Sequence, residues 1–529
     1  MTSDKSRAAI VSLGVPLAML ILFLSFAVVS GGFDADPDYP YLLNSLNILH
    51  FQSPGHADHP GTPLQILGGA IVGVTWLVRW LAQGHVPLDD DVLRHPEVYL
   101  TCINVVLALL AAAALSFFGR QLLLWTGSLA AAMVGQITLL LSLPVLISLP
   151  RVTPEPLLVS LTVLLAALLT PAISQPSFPW QQIRYPLLVG ATLGACVATK
   201  ITAVPLVLTV ALLRGVKMQI VAIAATAATL ILLTLPIASL YGSFLRWILT
   251  LAIHSNNYGE GPVGLPPLSE FLDHLKLLFE SFPGAFVSIA ICGIMLLLHG
   301  ESPECRPRIR LFVVCALIIS LQLITVAKHY NLRYALPAAA MAALANAGAA
   351  YVAAASQGTR RLGFAAVMTA LLGLGIWHTG RAVWDWYEKP YAIAREGKSL
   401  MAKAAMSGCT FIAYYGASSQ EFNLFFGNRL AKGIYSRHLA AIYPDFLSYD
   451  SGRFEDFIDV LNPAEAERRL SAKKCIYLFG SPLERFNNFG IASSDLTPIA
   501  RSQGGPGEAL AIYQLSPKVI GQSKLETPR

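Results

Sequence analysis

Long apolar runs limit what this sequence can fold into more than any other feature. The first run, from Ala9 to Ser30, matches the roughly 20 apolar residues that one helix needs to cross a bilayer. Similar runs recur to about Thr379, and charged residues make up only 13% of the chain, about half the share usual in soluble proteins. The sequence therefore predicts a polytopic α-helical membrane protein with about 11 spans.

The first apolar run could also be a secretory signal peptide, because the basic residues Lys5 and Arg7 precede it. The run is long for a signal peptide, however, and no cleavage site of the Ala-x-Ala type ends it. We therefore predict that it is the first permanent span.

The composition changes after residue 380, where charged residues become as frequent as in an ordinary soluble domain. We predict a transmembrane domain over residues 1–380 and a soluble α/β domain over residues 381–529. The second domain has no constellation of catalytic residues that the sequence reveals. A role in binding an acceptor or in closing over a site is the expectation for it.

Two compact apolar segments of the second domain, residues 409–415 and 475–479, are each followed by a glycine and predict buried strands. Asn462, followed by a proline, is a favourable N-cap for a helix before the second strand. Cys409 and Cys475 begin these strands in a compartment predicted to be oxidising. They either form a disulfide or remain two buried thiols.

Basic residues in short loops predict the orientation, since cytoplasmic loops carry an excess of Lys and Arg. These loops contain Lys5, Arg7, Arg120, Arg184, Arg214, Lys217, Arg306, Arg308, Arg310, Arg360 and Arg361. All of them are cytoplasmic together only if the apolar stretch 64–81 does not cross the membrane. Trp76, Arg79 and Trp80 suit a membrane interface, so we predict a juxtamembrane or re-entrant helix there.

With this topology the C-terminal domain lies in the periplasm of a bacterium whose inner membrane holds the multi-pass part. Unusual polar residues then collect on the outer face. Asp36 and Glu155 each lie within a few residues of a long apolar segment, where burying a carboxylate is costly unless it has a function. A transferase needs such a carboxylate to take a proton from an acceptor hydroxyl. Asp34 and Asp38 are also explained as solvated loop residues or helix caps.

Two cations on the same face are candidates for binding a phosphate. Lys200 lies between two apolar runs that are short for spans, and Arg333 lies in the last outer loop before the soluble domain. Arginine can hold a phosphate through two parallel hydrogen bonds. The alternatives are that the Lys200 side chain extends to the bilayer interface and that Arg333 merely flanks a helix start.

In these features the chain resembles the membrane glycosyltransferases of the GT-C fold, in particular the protein O-mannosyltransferases and the lipid A aminoarabinose transferases. The resemblance rests on the order and position of short motifs over about 380 residues. In chain order they are Asp34-Ala35-Asp36, His59-Pro60, Glu155-Pro156, Thr199-Lys200, and Arg333-Tyr334 with Leu336-Pro337.

Two motifs depart from these families. The mannosyltransferases usually have Asp-Glu where this chain has Asp34-Ala35-Asp36, so either aspartate is a candidate, and we prefer Asp36. The aminoarabinose enzymes have Glu-Lys-Pro where this chain has Asp58-His59-Pro60. The identity of the donor sugar therefore does not carry over.

The resemblance implies a polyprenyl-phosphate sugar donor in the outer leaflet and inverting transfer to a hydroxyl of an envelope lipid, glycan or protein. Asp36 would be the base, or would orient the acceptor, and Glu155 would position a substrate. The donor phosphate would be held by His59, Lys200, Arg333 and Tyr334. No nucleotide is then needed, and the sequence has no P-loop.

The resemblance also implies a divalent metal ion, because the aminoarabinose enzymes bind one through an acidic residue and a histidine at similar positions. Here these are Asp58 and His254. One carboxylate and one imidazole leave open positions for phosphate oxygens. The alternative is two exposed polar residues on separate loops.

Three functions remain to be compared. A transporter or flippase for a lipid-linked glycan also explains many spans with polar residues, but paired half-repeats with broken helices would favour it and none is evident. A non-catalytic envelope assembly protein is the third possibility. Nucleic-acid binding is not expected, because no basic cluster with interleaved aromatic residues is present.

Overall fold

A computed structural model describes most of the 529-residue chain. The described residues are 9–27, 38–58, 61–174, 182–256, 259–299, 306–355, 373, 375, 379–381, 410–414, 420–450, 453–471, 476–480, 496–501 and 511–515. Of the residues singled out above, those outside this part of the chain are Lys5, Arg7, Asp34, Asp36, His59, Arg360, Arg361, Cys409 and Cys475.

The chain divides into two compact units that interleave along the sequence. The first unit comprises residues 1–27, 57–67 and 103–384, and the second comprises residues 28–56, 68–102 and 385–529. The domain boundary that we place at residue 380 stays a prediction.

The N-terminal three quarters of the described chain is helical. After a π-helical turn at Ile10–Gly14, the α-helices are α1 (Val15–Ala27), α2 (Tyr39–Leu49), α3 (Thr62–Gln83), α4 (Leu88–Arg94), α5 (Pro96–Thr126), α6 (Leu129–Leu140), α7 (Leu143–Ser148), α8 (Pro154–Leu169), α9 (Pro171–Ser174), α10 (Arg184–Thr199), α11 (Val216–Thr234), α12 (Tyr241–Ile253), α13 (Leu268–Ser281), α14 (Pro283–His299), α15 (Arg306–Lys328) and α16 (Leu336–Ala355). Three 3₁₀ helices lie between them at Ile201–Leu212, Leu235–Leu240 and Leu332–Ala335.

Several of these helices are suited to a bilayer. Among the described residues, six helices are long and apolar enough to cross a membrane, and the pair Leu268–Ser281 and Pro283–Leu297, bent by 91°, would make a seventh span. Three shorter apolar helices lie at Ile10–Ser25, Leu129–Leu140 and Ile201–Leu212. The chain is a multi-pass membrane protein, while the predicted total of about 11 spans stays a prediction.

The prediction that residues 64–81 do not cross the membrane also remains open, because α3 has the length and hydropathy of a span. The C-terminal half of this helix nevertheless has polar contacts within the second unit. The Arg79 guanidinium donates to both carboxylate oxygens of Asp91 at 2.7 and 2.8 Å. The Trp76 indole donates to the carbonyl of Val86 at 3.0 Å. Such contacts are typical of an interface rather than a bilayer centre.

Small residues set the close packing of α10 and α11 in the first unit. A Cβ atom at Gly190 or Gly194 would overlap the backbone carbonyl oxygens of Ala222 or Thr226. These glycines are four residues apart, so they lie on one face of α10 and let the two backbones approach. This packing fixes the end of α10, where Lys200 follows.

The second unit contains a six-stranded mixed sheet. Its strands are β1 (Thr410–Tyr414), β2 (Ser448–Asp450), β3 (Arg453–Glu455), β4 (Ile476–Gly480), β5 (Leu496–Arg501) and β6 (Ala511–Leu515), with the helices α17 (Gln420–Leu430), α18 (Ser436–Ile442) and α19 (Pro463–Ser471). The strand order is β3-β2-β1-β4-β6-β5, with β1 parallel to β2 and β4 and the other pairs antiparallel.

The structure confirms the two strands and the helix predicted for this part of the chain. Strands β1 and β4 are parallel neighbours, with Thr410 opposite Ile476. The Asn462 side chain accepts a hydrogen bond from the Glu465 amide at 2.9 Å, as expected of an N-cap. Whether Cys409 and Cys475 form a disulfide stays a prediction.

Helices α17 and α18 are tied to α2 within the second unit. The Asn44 amide donates to the carbonyl of Leu430 at 3.2 Å, and the Tyr435 hydroxyl donates to the Asn47 side chain at 2.7 Å. A Cβ atom at Gly427 would lie 3.0 Å from the backbone of Tyr39. These contacts hold the start of α2, which follows the acidic segment that contains Asp36.

Candidate functional site

Lys200 lies at a break between two helical segments, as its position between two short apolar runs predicts. Helix α10 ends at Thr199, Lys200 has extended backbone angles (φ −156°, ψ 127°), and a 3₁₀ helix begins at Ile201. A 3₁₀ segment of 12 residues is long for this kind of helix, and such segments often mark functional hinges. The Lys200 side chain is only 1% exposed, so its charge requires a partner in the protein.

Glu155 supplies that partner. Its carboxylate forms an ion pair with the Lys200 ammonium, and it is itself 4% exposed. Glu155 occupies the first turn of α8, which starts at Pro154, and an acidic side chain is favourable at this positive end of a helix. Removing either partner of such a pair leaves an uncompensated buried charge, which is strongly destabilising.

The aromatic ring of Tyr334 completes the arrangement. The Lys200 ammonium lies 4.6 Å from the centre of this ring, within the range of a cation–π interaction. Tyr334 belongs to the 3₁₀ helix Leu332–Ala335, whose first turn is capped by the Asn331 side chain at 3.1 Å from the Arg333 amide. The Gln322 amide donates to the Tyr334 carbonyl at 2.6 Å and fixes this segment to α15.

The structure thus brings three separate motifs of the sequence to one place in the first unit. Glu155, Lys200 and Tyr334 are in mutual contact through the lysine, and Arg333 adjoins Tyr334 in the chain and is half-buried. A lysine ammonium has three N–H donors. Within the described residues one carboxylate and one ring face it, so it retains capacity for an anionic ligand.

Comparisons with known proteins extend these observations. No family model matches the sequence, and no curated protein sequence gives a significant match. Among solved structures, ArnT from Cupriavidus metallidurans bound to undecaprenyl phosphate is similar, with a TM-score of 0.52 at 12% identity, covering 97% of this chain and 98% of that one. The same protein in the apo state gives a TM-score of 0.50 at 11% identity, over 97% and 99% of the two chains.

The chain has a GT-C-like fold. The likeness covers nearly the whole length of both chains. At this level of identity the likeness concerns the fold and not the ligands. It confirms the GT-C resemblance drawn from the order of the sequence motifs.

Within the GT-C-like fold, the segment between α1 and α2 is described only in part. Asp34 and Asp36 lie outside the described residues, and their roles stay predictions. Asp38 occupies the N-cap position of α2, which agrees with the helix-cap interpretation, and it is only 6% exposed, which excludes the alternative of a solvated loop residue. The sequence could not show this, because burial at a helix start depends on the packing of the whole second unit.

The predicted metal ligands belong to the first unit. Asp58 is exposed, and His254 follows α12, where its Nδ1 donates to the Gly261 carbonyl at 3.1 Å. This bond leaves the Nε2 lone pair available, which is the usual arrangement of a metal-binding histidine. No group of three His, Cys, Asp or Glu side chains is placed to hold a metal within the described ranges. A metal at these two residues stays a prediction.

Sequence reasoning assigned no role to His329, which the structure buries at the end of α15. Its exposed fraction is 7%, and both of its ring nitrogens contact backbone carbonyls, of Asn256 at 2.7 Å and of Leu251 at 3.0 Å. A histidine directly after a long apolar run and a lysine was the one signal available. A pattern of this kind does not distinguish a buried residue from one at the bilayer surface.

Proposed function

We propose that this protein is a membrane glycosyltransferase that moves a sugar from a polyprenyl-phosphate donor to a hydroxyl group of an envelope acceptor. The reaction would take place on the periplasmic side of a bacterial inner membrane. The observation that carries the proposal is the buried Lys200–Glu155 pair under Tyr334 in a GT-C-like fold. The similar ArnT structure contains undecaprenyl phosphate, which is a polyprenyl phosphate.

In the proposed reaction the acceptor oxygen attacks the anomeric carbon of the donor sugar. A new carbon–oxygen bond forms while the bond from that carbon to the phosphate oxygen breaks. The polyprenyl phosphate leaves with the bonding electrons, and the acceptor proton passes to a carboxylate. Attack from the face opposite the leaving group inverts the anomeric configuration.

The protein would assist the leaving group with positive charge. Among the described residues, the Lys200 ammonium donates only to Glu155, and Arg333 lies beside Tyr334 in the adjoining segment. Charge-assisted hydrogen bonds from such groups stabilise negative charge as it develops on a departing phosphate. Glu155 keeps the ammonium in place before the donor binds. His59 is a further candidate on the basis of the sequence motif.

The proposed base is Asp36, which precedes α2 by three residues. The contacts of α2 with Leu430 and Tyr435 fix the helix that follows this aspartate. A positioned carboxylate accelerates proton transfer by roughly 10²- to 10⁴-fold. Asp34 is the alternative base.

We also propose a divalent metal ion at Asp58 and His254, on the resemblance to the aminoarabinose enzymes alone. Nδ1 of His254 binds the Gly261 carbonyl, and Asp58 would add a carboxylate. A divalent ion bound there would supply positive charge toward the leaving phosphate. Nε2 of His254 is the ring nitrogen that does not bind the Gly261 carbonyl, so its lone pair would be the one to bind the ion.

A turnover assay with purified protein in liposomes tests the proposal. The probe is a polyprenyl-phosphate-linked labelled sugar, and the products measured are free polyprenyl phosphate and glycosylated acceptor. Asp36→Asn should lower turnover by roughly 10²-fold or more with unchanged membrane insertion. Asp34→Asn, measured in the same assay, tests the alternative base.

Three results would contradict parts of this proposal. Near-normal turnover of Asp36→Asn would assign the base elsewhere, first to Asp34. Movement of the labelled lipid across the bilayer without cleavage of the sugar–phosphate bond would indicate a flippase. Neither cleavage nor movement would indicate an assembly protein without catalytic activity.

A further inference from the structure

Helices α2 and α17 of the second unit pack against each other and run in the same direction. A Cβ atom at Gly427 of α17 would lie 3.0 Å from the backbone of Tyr39, at the start of α2. Further along both helices, the Asn44 side chain donates to the carbonyl of Leu430 at 3.2 Å. Residue numbers therefore rise together along the two helices.

Asn423 lies on the face of α17 that α2 covers. It precedes Gly427 by one turn, and residues four apart in a helix share a face. Because the two helices run in the same direction, this turn of α17 lies beside the beginning of α2, at Asp38 and Tyr39. The burial of Asn423, which is 1% exposed, agrees with this placement.

The Tyr39 hydroxyl lies at the same junction. Tyr39 is 2% exposed, and its phenol interacts electrostatically with Glu97 in the first turn of α5 and with Glu421 in the first turn of α17. Burial, assisted by these carboxylates, raises the pKa of Tyr39. The hydroxyl therefore keeps its proton and can donate a hydrogen bond.

Both side chains are held out of water without a hydrogen bond. Among the described residues, the Tyr39 hydroxyl has no partner, and neither has the amide nitrogen or the amide oxygen of Asn423. A buried polar group that makes no hydrogen bond costs folding free energy. Native proteins keep few such groups, and each of them calls for an explanation such as a ligand or an ordered water.

The same residue types are paired elsewhere in this unit. Asn428, five residues further along α17, donates to the Ser436 hydroxyl at 3.0 Å and accepts from the Tyr435 amide at 2.9 Å. The Tyr435 hydroxyl donates to the Asn47 side chain at 2.7 Å. Buried asparagine and tyrosine side chains with a structural role thus have protein partners here, whereas Tyr39 and Asn423 do not.

The chemistry of the junction favours a hydroxyl group as the missing partner. The carboxylates of Asp38, Glu97 and Glu421 act on the Tyr39 phenol, so their negative charge repels a phosphate. An ammonium group has only donors and would leave the two N–H donors of the Asn423 amide unpaired. A hydroxyl group both donates and accepts, so neighbouring hydroxyls of a sugar can satisfy the amide and the phenol together.

The junction reaches the protein surface at two of these carboxylates. Glu97 is exposed, and Glu421 is half-buried. A hydroxyl group that enters from this edge can reach the buried pair by movement of side chains at the edge.

We propose that Tyr39 and Asn423 form a subsite for the hydroxyl groups of a saccharide acceptor, so that α17 contributes to acceptor recognition. Tyr39 follows Asp36, the proposed base, by three residues in the chain, and the acceptor hydroxyl must come within reach of that base. The identity of the occupant as the acceptor rests on the proposed transferase function. The unpaired state of the two side chains does not.

Thermal unfolding of the full-length protein in detergent tests the pair without substrate. Tyr39→Phe and Asn423→Leu each remove a polar group without a partner in the free protein, so the thermal midpoint should stay unchanged or rise. Tyr435→Phe and Asn428→Leu are the matched controls. They break existing hydrogen bonds and should lower the midpoint by about 2 °C or more. Equal falls for Tyr39→Phe and Asn423→Leu would show that these side chains are already satisfied, by ordered water for example, and would overturn the subsite.

Kinetics of the double variant Tyr39→Phe with Asn423→Leu test the occupant. The donor is the labelled polyprenyl-phosphate sugar, and the acceptor probe is a glycolipid extract of a Gram-negative envelope. The apparent KM for the extract should rise roughly tenfold or more, the scale of one or two lost hydrogen bonds, with little change in KM for the donor. A merely structural role would lower kcat through loss of folded protein and leave both KM values unchanged.

The outcomes separate the subsite from the transferase function. An unchanged KM for the extract, in a double variant that turns over, would overturn the subsite and leave the transferase function intact. An equal rise in both KM values would also overturn it, because the effect would not be specific to the acceptor. A wild-type protein that neither cleaves the donor nor glycosylates the extract would contradict the transferase function, while the midpoints still decide whether the two side chains are satisfied in the free protein.

Discussion

Two buried charge clusters, one in each compact unit, differ in how completely their charged atoms are paired. In the second unit, Asp91 accepts two hydrogen bonds from Arg79 and a third from the Tyr99 hydroxyl. In the first unit, the Lys200 ammonium has one carboxylate oxygen of Glu155 and the face of a tyrosine ring. A carboxylate with three donors is satisfied within the protein, whereas an ammonium that donates to one carboxylate among the described residues can donate further to an anionic ligand.

The comparison indicates that the two charge clusters have different roles. The Arg79–Asp91–Tyr99 cluster joins α3, α4 and α5, so it stabilises a structural joint. The Lys200–Glu155 pair lies at a helix break and beside a 3₁₀ segment, where the backbone is irregular. Irregular backbone at membrane depth is tolerated where it is buried in protein or lines a cavity, and it often marks a site of function.

The largest effect should come from removing Lys200. Lys200→Ala leaves the Glu155 carboxylate buried without a partner, which costs about 3–5 kcal/mol of folding free energy. The double variant Lys200→Met with Glu155→Leu should recover most of that stability, because it removes both charges. Turnover should still be lost by roughly 10³-fold, since the Lys200 ammonium no longer stabilises the leaving phosphate. Thermal unfolding and the turnover assay measure the two effects.

The matched control is the double variant Arg79→Met with Asp91→Leu in the other cluster. Substantial turnover in this control, with loss in the Lys200 double variant, would support different roles for the two clusters. Equal loss of turnover in both would show that the two clusters do not differ in function.

A smaller effect is expected for Asp91 alone. Asp91→Asn weakens the charge-assisted bonds from Arg79, and hydrogen bonds of this kind contribute about 1.5–3 kcal/mol. We expect a lower thermal midpoint of the purified protein and a modest fall in turnover. A large fall in turnover with an unchanged midpoint would place Asp91 in the catalytic machinery instead.

The pH dependence of stability also tests whether the Asp91 cluster stabilises the fold. The hydrogen-bonded Arg79 guanidinium holds the pKa of the Asp91 carboxyl below its usual value. A lowered folded-state pKa gives stability that is present above the ordinary aspartate value of about 3.9 and is lost as the pH falls through the folded-state value. The thermal midpoint of the wild type should therefore fall more steeply below about pH 4 than that of Asp91→Asn. The exposed Asp459, replaced by Asn, serves as the control for a surface substitution.

The test of the membrane topology should change the stability of the protein least. A cysteine at Asp90, in a protein whose native cysteines are replaced, should react with an impermeant thiol reagent from the periplasmic side. A cysteine at Lys217 should be protected from that side. Reaction of the Asp90 position from the cytoplasm alone would show that α3 crosses the membrane. Glu155 would then face the opposite side from Asp36, and the proposed site would be wrong.

The sequence by itself determined the class of the protein and the order of its motifs. Runs of about 20 apolar residues fix helices in a bilayer, because no water is available there to bind free backbone groups. The strands β1 and β4 and the start of α19 also followed from local patterns, since apolar runs bounded by glycine and an Asn-Pro cap act over a few residues. The break at Lys200 was predicted in the same way.

Only the tertiary structure decided which of the polar residues meet. Glu155, Lys200 and Tyr334 come from segments far apart in the chain, and their contact depends on the packing of α8, α10 and α15. The burial of Asp38 and the two carbonyl partners of His329 are likewise properties of neighbouring elements. A local pattern reports the type of a side chain and its place on a helix or loop. The partners that give a buried charge its function are determined by long-range packing. Short sequence patterns carry no information about that packing.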